Sequence, residues 1–224
     1  MHFNTAKVTA GTMPETRGLN FFEEDRNLDF ILKHYLSSDD YQRALPHLKE
    51  LGEIAGSKLD ELSRVADKQT PELINYNAKG ERVDEVEYHP SYKEMESLGY
   101  EKFALVAMSH KPVLGFAKKL PHVLKYGFWY LFVQSEFGLA CPMSMTDSAA
   151  RVLSKYGSEE LKKTYLSRMI STNLDKLLTG AQFMTEKQGG SDVGANTSIA
   201  KKWTVIGNYG EINGFVPMFQ QMLH

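Results

Sequence analysis

A single cysteine, Cys141, occurs in the 224-residue sequence. One thiol can form no disulfide within the chain, and it cannot anchor a cysteine-based metal cluster. The composition therefore excludes the disulfide-stabilised scaffolds typical of small secreted proteins, and the cytoplasm is the expected compartment.

An excess of charge of one sign is also missing, because 26 Lys and Arg residues stand against 28 Asp and Glu residues. The formal net charge of −2 creates no cationic field that would attract nucleic acid or an anionic membrane surface. We therefore expect neither as a partner of this portion of the protein.

Long apolar runs are absent as well. The most apolar segment, 126–133, meets Gln134 and Glu136 well short of the ~20 apolar residues that a spanning helix needs. It is interpreted as a core helix buried among other helices. The first seven residues do not combine a positive start with an apolar stretch, so they predict no signal peptide.

The sequence contains no HExxH, GxGxxG or GxxxxGK[ST] pattern. The usual signals of zinc hydrolases, Rossmann proteins and P-loop proteins are therefore missing. His89 precedes Pro90, which favours a turn over a metal site, and no metal ligand is assigned.

Helical periodicity dominates the sequence that is present. We predict a first helix with one apolar stripe, and a second helix that starts at a capping residue and runs to about Ser63. We also predict a hairpin between Thr70 and Pro90. Ser158 is predicted to cap a later helix. The stripe residues are Leu28, Ile31, Leu32 and Tyr35; the cap comes from residues 37–40; the later helix would bury Leu161, Tyr165, Leu166 and Met169.

The sequence changes character beyond Gly180. Glycines accumulate there, and the β-branched and aromatic run 203–206 predicts a strand. The domain prediction is a helical N-terminal domain over residues 1–178, followed over residues 179–224 by the beginning of an incomplete middle β domain.

One segment between these regions, residues 182–193, can carry chemistry. Paired glycines let the backbone approach a bulky anion, and Ser191 and Thr185 could donate hydrogen bonds to a ligand. An ordinary surface loop has the same composition, so the residues alone do not separate these interpretations. Glu186 is interpreted as a structural or solvated carboxylate rather than a general acid or base, and Met143 and Met145 as core residues.

The run 184–186, followed by 189–193, resembles the flavin-binding loop of the acyl-CoA dehydrogenases. Residues 156–166 resemble the helix that precedes this loop in that family. The similarity extends from about Phe21 to Gly214, and three further segments resemble the AidB-type branch: 141–146, 71–73 and 88–90.

The resemblance implies a mainly α fold, with an acyl-CoA dehydrogenase-like helical domain followed by the start of a β domain. It implies FAD as cofactor and an acyl-CoA thioester, oxidised at its α,β bond, as substrate. Gly190 and Ser191 would approach the flavin pyrophosphate, with Ser191 also near acyl-CoA, and Thr185 would bond the flavin ring. The cofactor-binding residues implied are Gln182, Phe183, Met184, Thr185, Gly190 and Ser191.

The family resemblance ends abruptly after residues 212–214. We expect a truncation or a reading-frame slip near Phe215, with the family's catalytic base in a carboxy-terminal helical domain beyond this chain. No catalytic residue is therefore assigned, and a second copy or a partner chain could complete the fold. The alternative functions are a noncatalytic helical binding module and an AidB-type flavoprotein linked to the DNA alkylation response.

Overall fold

The computed structural model describes residues 15–198, which divide into two compact units. The first unit contains residues 15–69 and 89–181, and the second contains residues 70–88 and 182–198. The predicted strand 203–206 and the tail after Gly214 lie outside the described residues.

The first unit is helical. Two short 3₁₀ turns, Ala107–Ser109 and Leu174–Lys176, accompany its α-helices. The α-helices are α1 (Phe21–Glu24), α2 (Arg26–Tyr35), α3 (Ser38–Ile54), α4 (Asp60–Ala66), α5 (Pro90–Glu96), α6 (His122–Val133), α7 (Ala140–Tyr156), α8 (Glu159–Leu161) and α9 (Ser167–Met169). This confirms the mainly helical fold predicted from the sequence.

Three π-helical turns join or extend the α-helices. Ala55–Leu59 connects α3 to α4, Ser97–Lys102 continues α5, and Lys162–Leu166 connects α8 to α9. The predicted long second helix is therefore observed, with a wider turn inside it and a slightly later end at residue 66.

Polar side chains cap the starts of several helices. The Asn20 and Asp25 side chains accept hydrogen bonds from the first backbone N–H groups of α1 and α2. Ser37 accepts from Asp40 N at 3.1 Å, and Ser158 accepts from Leu161 N at 3.3 Å, as predicted. Each cap satisfies a backbone donor that the helix itself leaves unpaired.

The apolar stripe predicted for α2 is only half correct. Leu28 and Leu32 are buried, but Ile31 is 41% exposed and Tyr35 is 68% exposed. The buried pair lies against Gly127 of α6, where the missing side chain gives the two leucines room. A surface helix that packs on one side buries a narrower stripe than the sequence pattern suggested.

α6 was expected to be buried around its whole circumference, and this was wrong. Phe128, Leu131 and Phe132 are fully buried, whereas Tyr126 is 61% exposed and Tyr130 is 45% exposed. The Tyr130 hydroxyl donates to Asp25 Oδ2 at 2.8 Å, so its polar end stays at the surface. The tyrosines mark the side of α6 that faces away from the core.

A smaller apolar cluster forms near the end of the helical unit. Ala150, Met169 and Leu178 are its buried members. Of the face predicted from Leu161 to Met169, only Met169 is buried, and the other three residues pack partly buried. These helices therefore lie at the edge of the unit.

The second unit contains the predicted hairpin. Strands β1 (Glu72–Tyr76) and β2 (Arg82–Glu87) pair antiparallel, with Leu73 opposite Val86. The register shifts where Asp84 adopts a positive φ of 47°, as expected at a bulge. Gly80, with a φ of 79°, completes the connecting turn.

Candidate functional site

The segment that resembles a flavin-binding loop belongs to the second unit and folds back on itself. A tight turn forms where Glu186 N donates to Gly189 O at 2.8 Å and Gly189 N donates back to Glu186 O at 3.2 Å. A short 3₁₀ turn at Val193–Ala195 then reverses the chain toward the first turn. The result is a compact loop over residues 182–198.

The Glu186 carboxylate joins the two ends of this loop. Its Oε2 accepts from Thr197 N at 2.8 Å, and its Oε1 accepts from Ser198 N at 3.0 Å. Gln188 Nε2 donates to the same carboxylate and, at 2.8 Å, to Thr197 Oγ1. Hydrogen bonds from Ser198 and Thr197 lower the pKa of Glu186 to about 2. The Glu186 carboxylate therefore holds the loop together, in agreement with its interpretation as structural.

The two adjacent glycines differ in what they allow. A Cβ added to Gly189 would lie 2.3 Å from Asn196 Oδ1 and 2.6 Å from Asp192 O, which no side chain can tolerate. A Cβ added to Gly190 would meet only Thr185 Cγ2, at an ordinary contact distance of 3.4 Å. Gly189 is therefore required by the packing of the loop, whereas Gly190 is not.

The residues predicted to bind cofactor lie on the exposed side of the loop. Phe183 is 69% exposed and Met184 is 54% exposed. Gln182, Thr185, Gly190 and Ser191 are exposed as well. The structure brings Thr185 and Gly190 together, and neither the Thr185 nor the Ser191 hydroxyl bonds any other described residue.

Sequence reasoning missed the role of residues 196–198. Asn196 Nδ2 donates to Met184 O at 2.5 Å, and Thr197 and Ser198 bond Glu186. A run of Asn, Thr and Ser has the composition of any polar loop, so no sequence signal could have assigned it to the fold of this segment.

A second polar cluster, also missed, lies inside the helical unit. Asp147 accepts from Lys125 Nζ and lies 2.7 Å from His110 Nε2. Burial tends to raise the pKa of Asp147, but the hydrogen bonds from His110 and Lys125 outweigh it and hold that pKa below its ordinary value. The cluster neutralises charges that helix packing has removed from water.

The structure also shows the positions of His89, Met143, Met145 and Cys141. His89 caps α5 by accepting from Ser91 N at 3.2 Å. Met143 is fully buried, as expected, while Met145 is half-buried and Cys141 is exposed despite its apolar neighbours. Among residues 15–198, no group of three or more His, Cys, Asp or Glu side chains could hold a metal ion.

None of the helices in the described part of the chain is both long enough and apolar enough to cross a membrane.

Comparison with known proteins places the helical unit in a family. Residues 12–176 match the family model of the adaptive response protein AidB N-terminal domain. That match ends before the loop at 182–198, so the assignment of the loop rests on its own residues.

Two curated relatives agree with this match. Acyl-CoA dehydrogenase family member 11 of Caenorhabditis elegans is 30% identical over 177 residues, which are 78% of this chain and 28% of that protein. AidB of Escherichia coli (strain K12) is 31% identical over 151 residues, or 63% of this chain and 27% of that protein. The chain thus spans less than a third of the length of either relative.

A solved structure, the apo form of Bd2924, is similar to this chain with a TM-score of 0.74 and 31% sequence identity. The similarity covers 89% of this chain and 39% of the other. Because the family model covers most of the chain, the chain belongs to the AidB family of acyl-CoA dehydrogenase relatives and carries the AidB N-terminal domain.

Proposed function

We propose that this chain supplies the FAD-binding loop of an acyl-CoA dehydrogenase-type flavoprotein. The observation that carries the proposal is Gly190. Its φ is not positive, and the contacts of the loop would accept a Cβ, so neither conformation nor packing explains a glycine there. Close approach of a ligand to the main chain does explain it.

The hydroxyl groups beside Gly190 support the same conclusion. Thr185 and Ser191 are exposed, and within the described residues their hydroxyls make no hydrogen bond. Exposed hydroxyls normally bond water, so a ligand that replaces this water loses little and gains two hydrogen-bond donors. We assign Thr185 to the flavin ring and Ser191 to the pyrophosphate.

The apolar side chains on the loop fit a planar ring. Phe183 and Met184 follow one another in sequence and expose most of their surface. Large exposed apolar groups next to uncommitted donors are typical of binding surfaces. We propose that a flavin ring covers these two side chains, and that Gln182 contributes a further polar contact.

When bound, FAD supplies the redox chemistry of acyl-CoA dehydrogenation. The acyl-CoA substrate class is proposed from the name of the nematode relative. The residues of this chain would bind and orient the cofactor, and no catalytic base is assigned among them.

Flavin retention tests the proposal. The 224-residue chain is mixed with FAD, passed through a desalting column and examined for bound flavin by absorbance and fluorescence. We expect retention by the wild-type chain and a drop in affinity of about tenfold or more in Gly190→Ala, since the added methyl fills the approach to the backbone. Gly127→Ala, which adds the same methyl to α6, is the control and should bind like wild type.

A noncatalytic binding module is the second candidate. The hairpin favours it, because the cross-strand pair Leu73 and Val86 is 61% and 49% exposed, and Tyr76 is 61% exposed. A folded chain that retains no flavin, alone or with a chain supplying the remaining domains of its relatives, would remove the FAD proposal. The binding module would then be the better description.

A further inference from the structure

We propose that Glu186 is a positioning residue that holds the loop in the shape that binds flavin. Its carboxylate bonds Thr197 and Ser198 to the turn that carries Gly189, and so fixes Thr185 and Gly190 side by side. This inference rests on the proposed function, because it names the residue that organises the FAD-binding loop.

The hydrogen bonds of the Glu186 side chain require a carboxylate rather than an amide. Both oxygens of Glu186 accept from backbone N–H groups, one from Thr197 and the other from Ser198. A glutamine at this position has one oxygen and one NH₂ group, so one of the two backbone N–H groups would face a donor. The isosteric amide therefore loses at least one of the two bonds and the added strength that charge gives the other.

The returning segment of the loop, residues 196–198, also contacts the side that we propose binds the ligand. Asn196 donates to Met184 O at 2.5 Å, and the space beside Gly189 is occupied by Asn196 Oδ1. Thr185 lies between Met184 and Glu186 in sequence, so both of its neighbours are held by residues 196–198. Release of residues 196–198 would therefore free Thr185 from its place beside Gly190.

A positioning role for Glu186 differs from a role as a general acid or base. Its hydrogen bonds keep the pKa of Glu186 at about 2, so the carboxylate is ionised throughout the physiological range. Over that range, the loop is held closed independently of pH, and Glu186 has no proton to exchange with a substrate.

The test uses two readouts on the isotope-labelled 224-residue chain and its Glu186→Gln variant. The first is the amide proton shift of Thr197 and Ser198, since a hydrogen bond to a carboxylate moves an amide proton downfield. The second is FAD affinity by flavin fluorescence. Lys187→Gln is the matched control, because it creates the same side chain at the neighbouring exposed position. We expect Glu186→Gln to move both amide protons upfield and to weaken FAD binding about tenfold or more, while Lys187→Gln changes neither.

Unchanged amide shifts in Glu186→Gln would overturn the inference, because the carboxylate would not hold the loop. Moved amide shifts with unchanged FAD affinity would also overturn it, while the proposed function would stand. If the wild-type chain binds no FAD, either alone or with a chain supplying the remaining domains of its relatives, the proposed function fails, and the positioning role fails with it even when the amide shifts show a closed loop.

Discussion

The buried ammonium group of Lys125 donates a hydrogen bond to Asp147 Oδ2, although the two residues lie 22 positions apart, on α6 and α7. Their side chains are only 8% and 16% exposed. His110 contacts the other oxygen of the same carboxylate at 2.7 Å. The helical unit therefore depends on one buried carboxylate to neutralise a lysine inside its core.

Removal of this carboxylate is expected to be costly. Asp147→Ala leaves Lys125 buried without its counter-charge, and we expect a loss of about 3–5 kcal/mol in the free energy of unfolding, measured by urea denaturation. The double variant Lys125→Met with Asp147→Leu should recover most of this loss, because it removes both charges. Glu159→Ala is the control, since its ion pair with Lys162 is exposed and is worth about 0–1 kcal/mol. Equal effects of Asp147→Ala and Glu159→Ala would contradict the prediction.

The same pair predicts a pH dependence. The pKa of Asp147 is held below its ordinary value of 3.8, so its contribution to stability is complete above that value and is lost as the pH falls through the folded-state pKa. The stability difference between wild type and Asp147→Asn should therefore shrink as the pH falls below 3.8. Urea denaturation over a pH series measures it, and a difference that grows in acid would have the wrong sign.

Gly56 is predicted to be essential for the packing of the N-terminal segment. A Cβ there would lie 1.8 Å from Leu19 O, and Gly18 N donates to Gly56 O at 2.6 Å. Gly56→Ala should therefore destabilise the helical unit by about 1–3 kcal/mol in thermal or urea unfolding. At Gly127 the added methyl meets only side-chain ends, Leu32 Cδ2 at 3.3 Å and Leu28 Cδ1 at 3.5 Å, so Gly127→Ala should change stability far less. Equal effects at the two glycines would show that the segment can shift freely.

Trp129 is predicted to stabilise the helical unit in two ways. It packs half-buried against the core, and its indole Nε1 donates to Leu105 O at 3.0 Å. Trp129→Ala should cost about 3 kcal/mol because it creates a cavity. Trp129→Phe keeps most of the packing and should cost about 1 kcal/mol for the lost hydrogen bond. A loss near zero for Trp129→Ala would place this side of α6 outside the core.

The sequence predicts local features of this protein well, because their causes lie within a few residues. Ser37 and Ser158 cap helices through N–H groups three positions ahead, and the hairpin turn is built by its own residues. Such short-range rules are visible in the sequence.

Features that depend on distant partners could not be predicted. Lys125 is buried because Asp147 reaches it from another helix, and Ile31 is exposed although the sequence pattern places it on the apolar stripe of α2. In the candidate site, the motif suggested Thr185 and Gly190, which do lie together. The partners of Glu186 lie 11 and 12 residues further along the chain. They are backbone N–H groups, which nearly every residue has, so the sequence does not show which of them bond Glu186.

The last prediction concerns the two uncommitted hydroxyls of the loop. Thr185→Ala and Ser191→Ala should each weaken FAD binding by about 0.5–1.5 kcal/mol, the net value of one hydrogen bond. Since neither hydroxyl bonds another described residue, the loop itself should stay closed, and the amide shifts of Thr197 and Ser198 should match wild type. Fluorescence titration measures the affinity, and the amide spectrum serves as the control for loop structure. Weaker binding with an intact loop would mean that both hydroxyls contact the cofactor directly. Unchanged affinity in both variants would remove Thr185 and Ser191 from the site and leave it supported by Gly190, Phe183 and Met184.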